Sequence, residues 1–173
     1  MNLIFRMLRV LFNARHRSRI GALDETSLTF RVWPSDLDVL LHMNNGRYLT
    51  LMDLGRVDSI IRSGIRRRLS ELAWYTVIAS ETIRFRESLE PFKKFELRTR
   101  LLGWDDKSFY MRQTFMRAER TTAVAVVRIR FLRRAGGTIG AREVAARLLP
   151  GVVPPPLPDY VEMWQQAEVD YSR

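Results

Sequence analysis

Apolar and polar residues change rhythm several times along the chain. Over residues 1–20, Leu3, Ile4, Met7, Leu8, Val10, Leu11 and Phe12 surround a narrow stripe of Asn2, Arg6, Arg9 and Asn13. That stripe repeats every 3.6 residues, so an amphipathic helix is predicted. From Ser27 to Trp33 the period shortens to two, with Leu28, Phe30 and Val32 set against Thr29 and Arg31, as in a half-buried strand. Pro34, Ser35 and the run Asn44–Asn45–Gly46 interrupt the pattern and leave a loop from Pro34 to Asn45. Helical spacing returns at Tyr48, Leu51, Met52, Val57, Ile60 and Ile61. Asn44 or Asn45 caps this helix, because a side-chain oxygen there satisfies an orphan amide, and Gly64 stops it.

Strands follow: Ala73–Ser80, Thr82–Ser88, Phe95–Trp104, Ser108–Arg117 and Thr122–Arg133, joined by short turns and closed at Ala135–Gly137. A strand, one long apolar helix and then a run of strands predicts an α+β fold, an antiparallel sheet wrapped around one central helix. The expected organisation is a basic amphipathic segment over 1–20, the sheet-and-helix domain over 21–150, and a proline-rich tail over 151–173. That tail should contain a short helix over Asp159–Asp170.

Composition narrows the chemistry. The 173 residues include no cysteine, which excludes thiol catalysis, disulfides and thiolate-bound metals. His16 and His42 are the two histidines, too few for a histidine-rich metal site, so no metal and no cofactor is expected. The net charge of +10 favours an anionic partner, and nearly all of the cations are arginines, whose planar fork suits phosphate. Arg6, Arg9, Arg15, Arg17 and Arg19 crowd the first segment, and no acid precedes Asp24. This helix either docks on the protein body or lies on an anionic membrane surface. A secretory signal is not expected, because Arg6 and Arg9 interrupt its apolar run. The longest stretch without a charge, Leu148 to Pro158, is too short for a spanning helix, so a cytoplasmic or peripheral protein is expected. Nucleic acid is not an expected partner, since the aromatics keep core spacing and no recognition motif is present.

The densest group of reactive side chains lies in the loop before the long helix. Asp36, Asp38, His42, Asn44 and Asn45 fall within ten residues and lead into a helix N-terminus. Amides there carry partial positive charge and suit an oxyanion, while a nearby carboxylate suits proton abstraction from water or attack on a carbonyl. An Asp-rich loop before a helix is also an ordinary capping and turn device. Likewise, Asp53 reads as a solvated residue or as a partner of Arg56.

The segment Asp36-Leu37-Asp38, His42-Met43-Asn44-Asn45 and Tyr48 closely resembles the signature of hotdog-fold acyl thioesterases, in the branch that includes plant acyl-carrier-protein thioesterases. It is also similar to the 4-hydroxybenzoyl-CoA thioesterase group. The later run Trp104-Asp105-Asp106-Lys107-Ser108-Phe109 resembles a strand turn of that family. The likeness covers roughly residues 26–134 and implies a hotdog fold with hydrolysis of an acyl thioester, most simply an acyl-CoA. It implies Asp38 as general base or nucleophile and the Asn45 amide as oxyanion donor, with His42 and Asn44 orienting water or the carboxylate. Tyr48 and Asp53 are implied at the substrate, with Arg66, Arg67 and Arg68, or the arginines of the last long strand, as candidate holders of the CoA phosphates. A homodimer or tetramer with the site at a subunit boundary is implied too. One departure stands out: Leu40 occupies the position where the plant-type enzymes carry Asn. It motivates a competing expectation, a non-catalytic acyl-binding or membrane-associated hotdog protein.

Overall fold

The two strands expected over Ala73–Ser80 and Thr82–Ser88 are one. In the computed structural model, which describes residues 3–171, β2 runs unbroken from Trp74 to Phe85. A register shift between Ile78 and Ser80 sets the two halves out of step, which is why the sequence reads as two runs. β1 (Thr26–Arg31), β3 (Lys94–Trp104), β4 (Phe109–Arg117) and β5 (Arg120–Arg133) complete an antiparallel sheet in the order β1-β3-β4-β5-β2, and the short β6 (Thr138–Ile139) pairs with β5.

α2 (Asn45–Arg62) lies against one face of the sheet. Its Leu51, Met52 and Leu54 are fully buried among Leu97, Phe115, Val127 and Ile129. Asn44 caps α2, its side-chain oxygen accepting from the Gly46 amide at 2.8 Å, and Gly64 follows the last turn at φ 76°. That left-handed backbone suits glycine, which has no Cβ to clash. The chain then starts a second, unpredicted helix at once, α3 (Ile65–Glu71). α4 (Ala141–Leu148) was not predicted either. Both are short; α3 buries only Leu69, while α4 buries two alanines beside Val144 and Leu148, so neither offers a long periodic stripe. α5 (Asp159–Tyr171) packs on the opposite face of the sheet, where Val161 meets Tyr110 and Val126. The Trp104–Phe109 run is a tight β3–β4 turn: both rings stack at 5.1 Å, and Asp105 Oδ1 accepts from the Lys107 and Ser108 amides at 2.7 Å each.

Between α2 and the sheet sits a closed polar network. Gln113 donates to the Met52 carbonyl (2.9 Å) and to Thr99 Oγ1 (3.0 Å), and accepts from Arg56 Nη1 (2.7 Å). Gly55 is what lets α2 approach it: a Cβ there would stand 2.5 Å from Thr99 Oγ1 and 2.9 Å from Gln113 Nε2.

The first helix, α1 (Leu3–His16), divides the polar stripe that its spacing suggests: Arg9 and Asn13 are exposed and Arg6 is not. Arg6 is buried, not solvated, because its guanidinium reaches Asp36 Oδ2 at 2.5 Å and the Arg31 carbonyl at 3.1 Å. Val10 and Ala14 are buried beside it, and Arg17, just past the helix, stands 3.7 Å from the buried Asp58 on α2. Burial pushes the Asp58 carboxyl up, against the pull of Arg17 and Arg62. Asn2, placed with Arg6 in the predicted stripe, lies outside the described residues. Among the described residues no helix is long and apolar enough to cross a membrane.

Candidate active site

The loop from Pro34 to Asn44 is built on Asp36. Its carboxylate accepts from the Trp33 amide (2.9 Å) and from Arg6, and its carbonyl accepts from the Asn44 amide (2.8 Å). A bridge between Leu37 and Met43 then closes a small hairpin over residues 38–42. Within it the Asp38 amide donates to the His42 carbonyl (2.9 Å) and the Leu41 amide to the Asp38 carbonyl (3.1 Å). The tip bares Val39, Leu40 and Leu41, and Leu41 takes a left-handed φ of 58°.

Asp38 is half-buried at the base of this hairpin. Its Oδ1 accepts from the Leu40 amide at 2.9 Å and from the His42 amide at 3.4 Å. Both bonds fall on the same oxygen, and among the described residues Oδ2 accepts no hydrogen bond. Among the described residues Asp38 forms no ion pair, whereas Asp36, two positions earlier, has Arg6 bonded to it and Arg47 at 3.8 Å.

Asp38, Leu40, His42, Asn45 and Tyr48 border one cleft of about 290 Å³. Its far wall is the end of β2 and the residues after it, Phe85 to Ser88, which the sequence did not single out. Alternation along β2 could have flagged Phe85 as facing the helix, but nothing local ties Arg86 or Glu87 to Asp38. In the first turn of α2 the Gly46 amide donates to the cap and the Arg47 amide to the Asn44 carbonyl (2.9 Å). The Asn45 amide takes no part in that cap, and Asn45 borders the cleft. Asp38 and Asn45, the first residue of α2, thus border one hollow, and amides at a helix start carry partial positive charge.

The other candidates are placed differently. His42 meets Asp38 through its backbone amide, not its imidazole, which is exposed on the rim. The Asn44 side-chain oxygen is committed to the cap. Tyr48 is buried at the back of the cleft, its ring edge-on to Phe85 (4.9 Å) and Phe115 (4.8 Å). Burial raises its hydroxyl to about 12, so it stays protonated. Asp53 is ion-paired with Arg56 and does not border the cleft, which matches the salt-bridge reading. Arg66, Arg67 and Arg68 stand on α3, past the far end of α2, which at about 1.5 Å per residue is roughly 27 Å from Asn45. There Arg67 pairs with Glu71 and Arg68 with the Leu148 carbonyl. The structure does not bring these three together with Asp38 in one chain.

The sequence profile of the thioesterase-like superfamily matches residues 32–165. The protein THEM6 of Xenopus laevis is 48% identical over 94 residues, covering 54% of this chain and 45% of that protein. The chain spans about half the length of the THEM6 proteins of Xenopus laevis and Danio rerio. Among solved structures, the probable thioesterase YbaW of Escherichia coli superposes with a TM-score of 0.67 at 18% identity, over 72% of this chain and 96% of YbaW. A 4-hydroxybenzoyl-CoA thioesterase variant solved with 4-hydroxybenzoyl-CoA superposes with a TM-score of 0.63 at 18% identity, over 71% and 98%. The sheet around α2 is the hotdog fold.

Proposed function

Because the chain belongs to the thioesterase-like superfamily, we propose that it hydrolyses an acyl thioester, an acyl-CoA, in the cleft between the 38–42 hairpin and the end of β2. The observation that carries this reading is that Asp38 and Asn45, the first residue of α2, border one hollow. Asp38 takes a proton from water, whose oxygen attacks the thioester carbonyl carbon, and the developing oxyanion accepts from the Asn45 amide. Collapse of that intermediate breaks the carbon–sulfur bond, and the thiolate leaves with a proton. In the variant route Asp38 itself attacks, and water then hydrolyses the anhydride. Single turnover in heavy-oxygen water identifies the second route when water attacks the aspartyl carbon of that anhydride, since only then does label enter the Asp38 carboxylate.

A homodimer belongs to this reading. β2 ends the sheet, and its Tyr75, Ile78 and Phe85 are each about 40% exposed. An exposed edge strand with large apolar side chains is a pairing surface, and a second copy would cover it. Phe85 also borders the cleft, so that pairing would set the site at the subunit boundary.

The test is free-thiol release from a panel of acyl-CoAs by the wild type and by Asp38→Asn. Turnover that the substitution leaves unchanged removes Asp38 from the mechanism. Tight acyl-CoA binding with no thiol release by the wild type supports the acyl-binding alternative, which Leu40 and the exposed His42 imidazole favour.

A further inference from the structure

α1 is fastened by one face and bare on the other. Arg6, Val10 and Ala14 are buried against the body, with Leu3 and Met7 packed partly beside them. Nearly opposite, at about 100° of turn per residue, Ile4, Phe5, Leu8 and Phe12 line up in a single stripe. Each of these four is between 57% and 64% exposed. Four large apolar residues in one row on solvent mark an interaction surface rather than chance exposure.

The surroundings of the stripe say what it meets. Arg15 continues the row beyond Phe12, Arg9 flanks it, and α1 contains no acid. Beside α1, against β1, runs a groove of about 260 Å³ whose lining includes Arg9, Arg31, Trp33 and Lys94. A second hollow of the same size continues it past Arg9, Asn13 and Arg17. Among the described residues no carboxylate lines either one. A partner must therefore offer an apolar layer and, at its margin, negative charge. Two copies of α1 packed stripe to stripe would bring together two cationic helices with no acid on either, which disfavours self-association.

We propose that α1 seats the protein on an anionic lipid bilayer, with Ile4, Phe5, Leu8 and Phe12 in the acyl boundary and the headgroup phosphates on Arg9, Arg15, Arg31 and Lys94. A basic amphipathic helix lies in the plane of the interface and buries its apolar face a few ångströms deep. Here the helix is already folded and docked, so little ordering accompanies binding. The +10 charge of the whole chain draws it to a negative surface.

Flotation of the whole chain with vesicles of phosphatidylcholine, alone or mixed with phosphatidylglycerol, tests this. The expected result is binding to the mixed vesicles only, weakened by high salt as screening requires. Phe5→Ser/Phe12→Ser should weaken it by at least about tenfold, and Arg9→Gln/Lys94→Gln should do so several-fold, as loss of apolar burial and of surface cations implies. All four side chains are exposed, so melting temperature and acyl-CoA turnover should not move. The proposal is overturned if the protein ignores both vesicles, if it binds neutral ones equally, or if both double variants float as the wild type does. It is also overturned if Phe5→Ser/Phe12→Ser instead changes the oligomeric state, because the stripe would then be a protein–protein contact.

Discussion

Two polar regions of α2 differ in what they leave unused. Where α2 crosses the sheet, Arg56, Gln113 and Thr99 use one another and the Met52 carbonyl, and Gln113 has both its amide hydrogens and its oxygen engaged. Where α2 begins, Asp38 has one oxygen engaged and the Asn45 amide stands outside the cap. Both regions are dense in polar atoms close to an apolar core. A fully matched network rigidifies the core, since each buried group left without a partner costs about 1–3 kcal/mol. A half-matched one at an open cleft keeps capacity for a substrate. Polar density alone therefore does not locate a site; unused hydrogen-bonding capacity beside a hollow does.

The largest expected effect lies on the open side. Asp38→Asn should lower acyl-CoA turnover by about a thousandfold, within the range for loss of a general base. Its melting temperature should match the wild type, because the amide oxygen still accepts from Leu40. A melting temperature that falls along with activity would make Asp38 a structural residue like its neighbour. Asp36→Asn should do the reverse, destabilising the protein by about 3 kcal/mol in denaturant titration, because it leaves the buried Arg6 cation poorly paired.

Gly55→Ala probes the closed network. Alanine is favoured over glycine in a helix by about 1 kcal/mol, but its Cβ would press on Thr99 and Gln113, neither of which is free to move. A net loss of about 1–2 kcal/mol in stability is expected, with turnover per folded molecule unchanged. Asn44→Ala links the two regions: losing the cap should cost about 1 kcal/mol. It should also lower turnover, because the cap orients the first turn that carries the Asn45 amide, and Asn44→Ser should restore both.

The smallest effect should come from a matched group that faces water. Hydrogen bonds from Arg98 and Ser27 hold the Glu96 carboxyl below its ordinary value of 4.5. The folded state thus favours the ionised form, so this contribution is complete above that value and fades as pH falls below it. Glu96→Gln should flatten the acid limb of a stability-against-pH curve, by well under about 1 kcal/mol for so exposed a pair.

Much of the molecule was legible along the chain. Period-two alternation marked β1, short turns set off the runs that form β3, β4 and β5, and the asparagine cap and Gly64 bounded α2 to within a residue or two, because these signals are local. The cleft's loop was legible for the same reason: Asp38, Asn44 and Asn45 sit within eight residues, and their backbone bonds are short-range. Contacts across the chain were not. Nothing near Arg6 announces Asp36, thirty residues away, and so the spacing of α1 left open whether it docks on the body, where Arg6 is an internal anchor. Arg66 to Arg68 lie close to α2 in sequence yet past its far end in space, since an 18-residue helix separates what it connects.

Sequence by itself determined the α+β class, the helix that the sheet wraps and the residues that enter it, since patterning and capping act through neighbours a few positions apart. Tertiary structure alone decided which of two aspartates is buried under a guanidinium and which opens on a cleft. It also decided which face of α1 is bare. Both choices depend on burial against distant segments, and the energy of a charge is set by what the folded chain places around it.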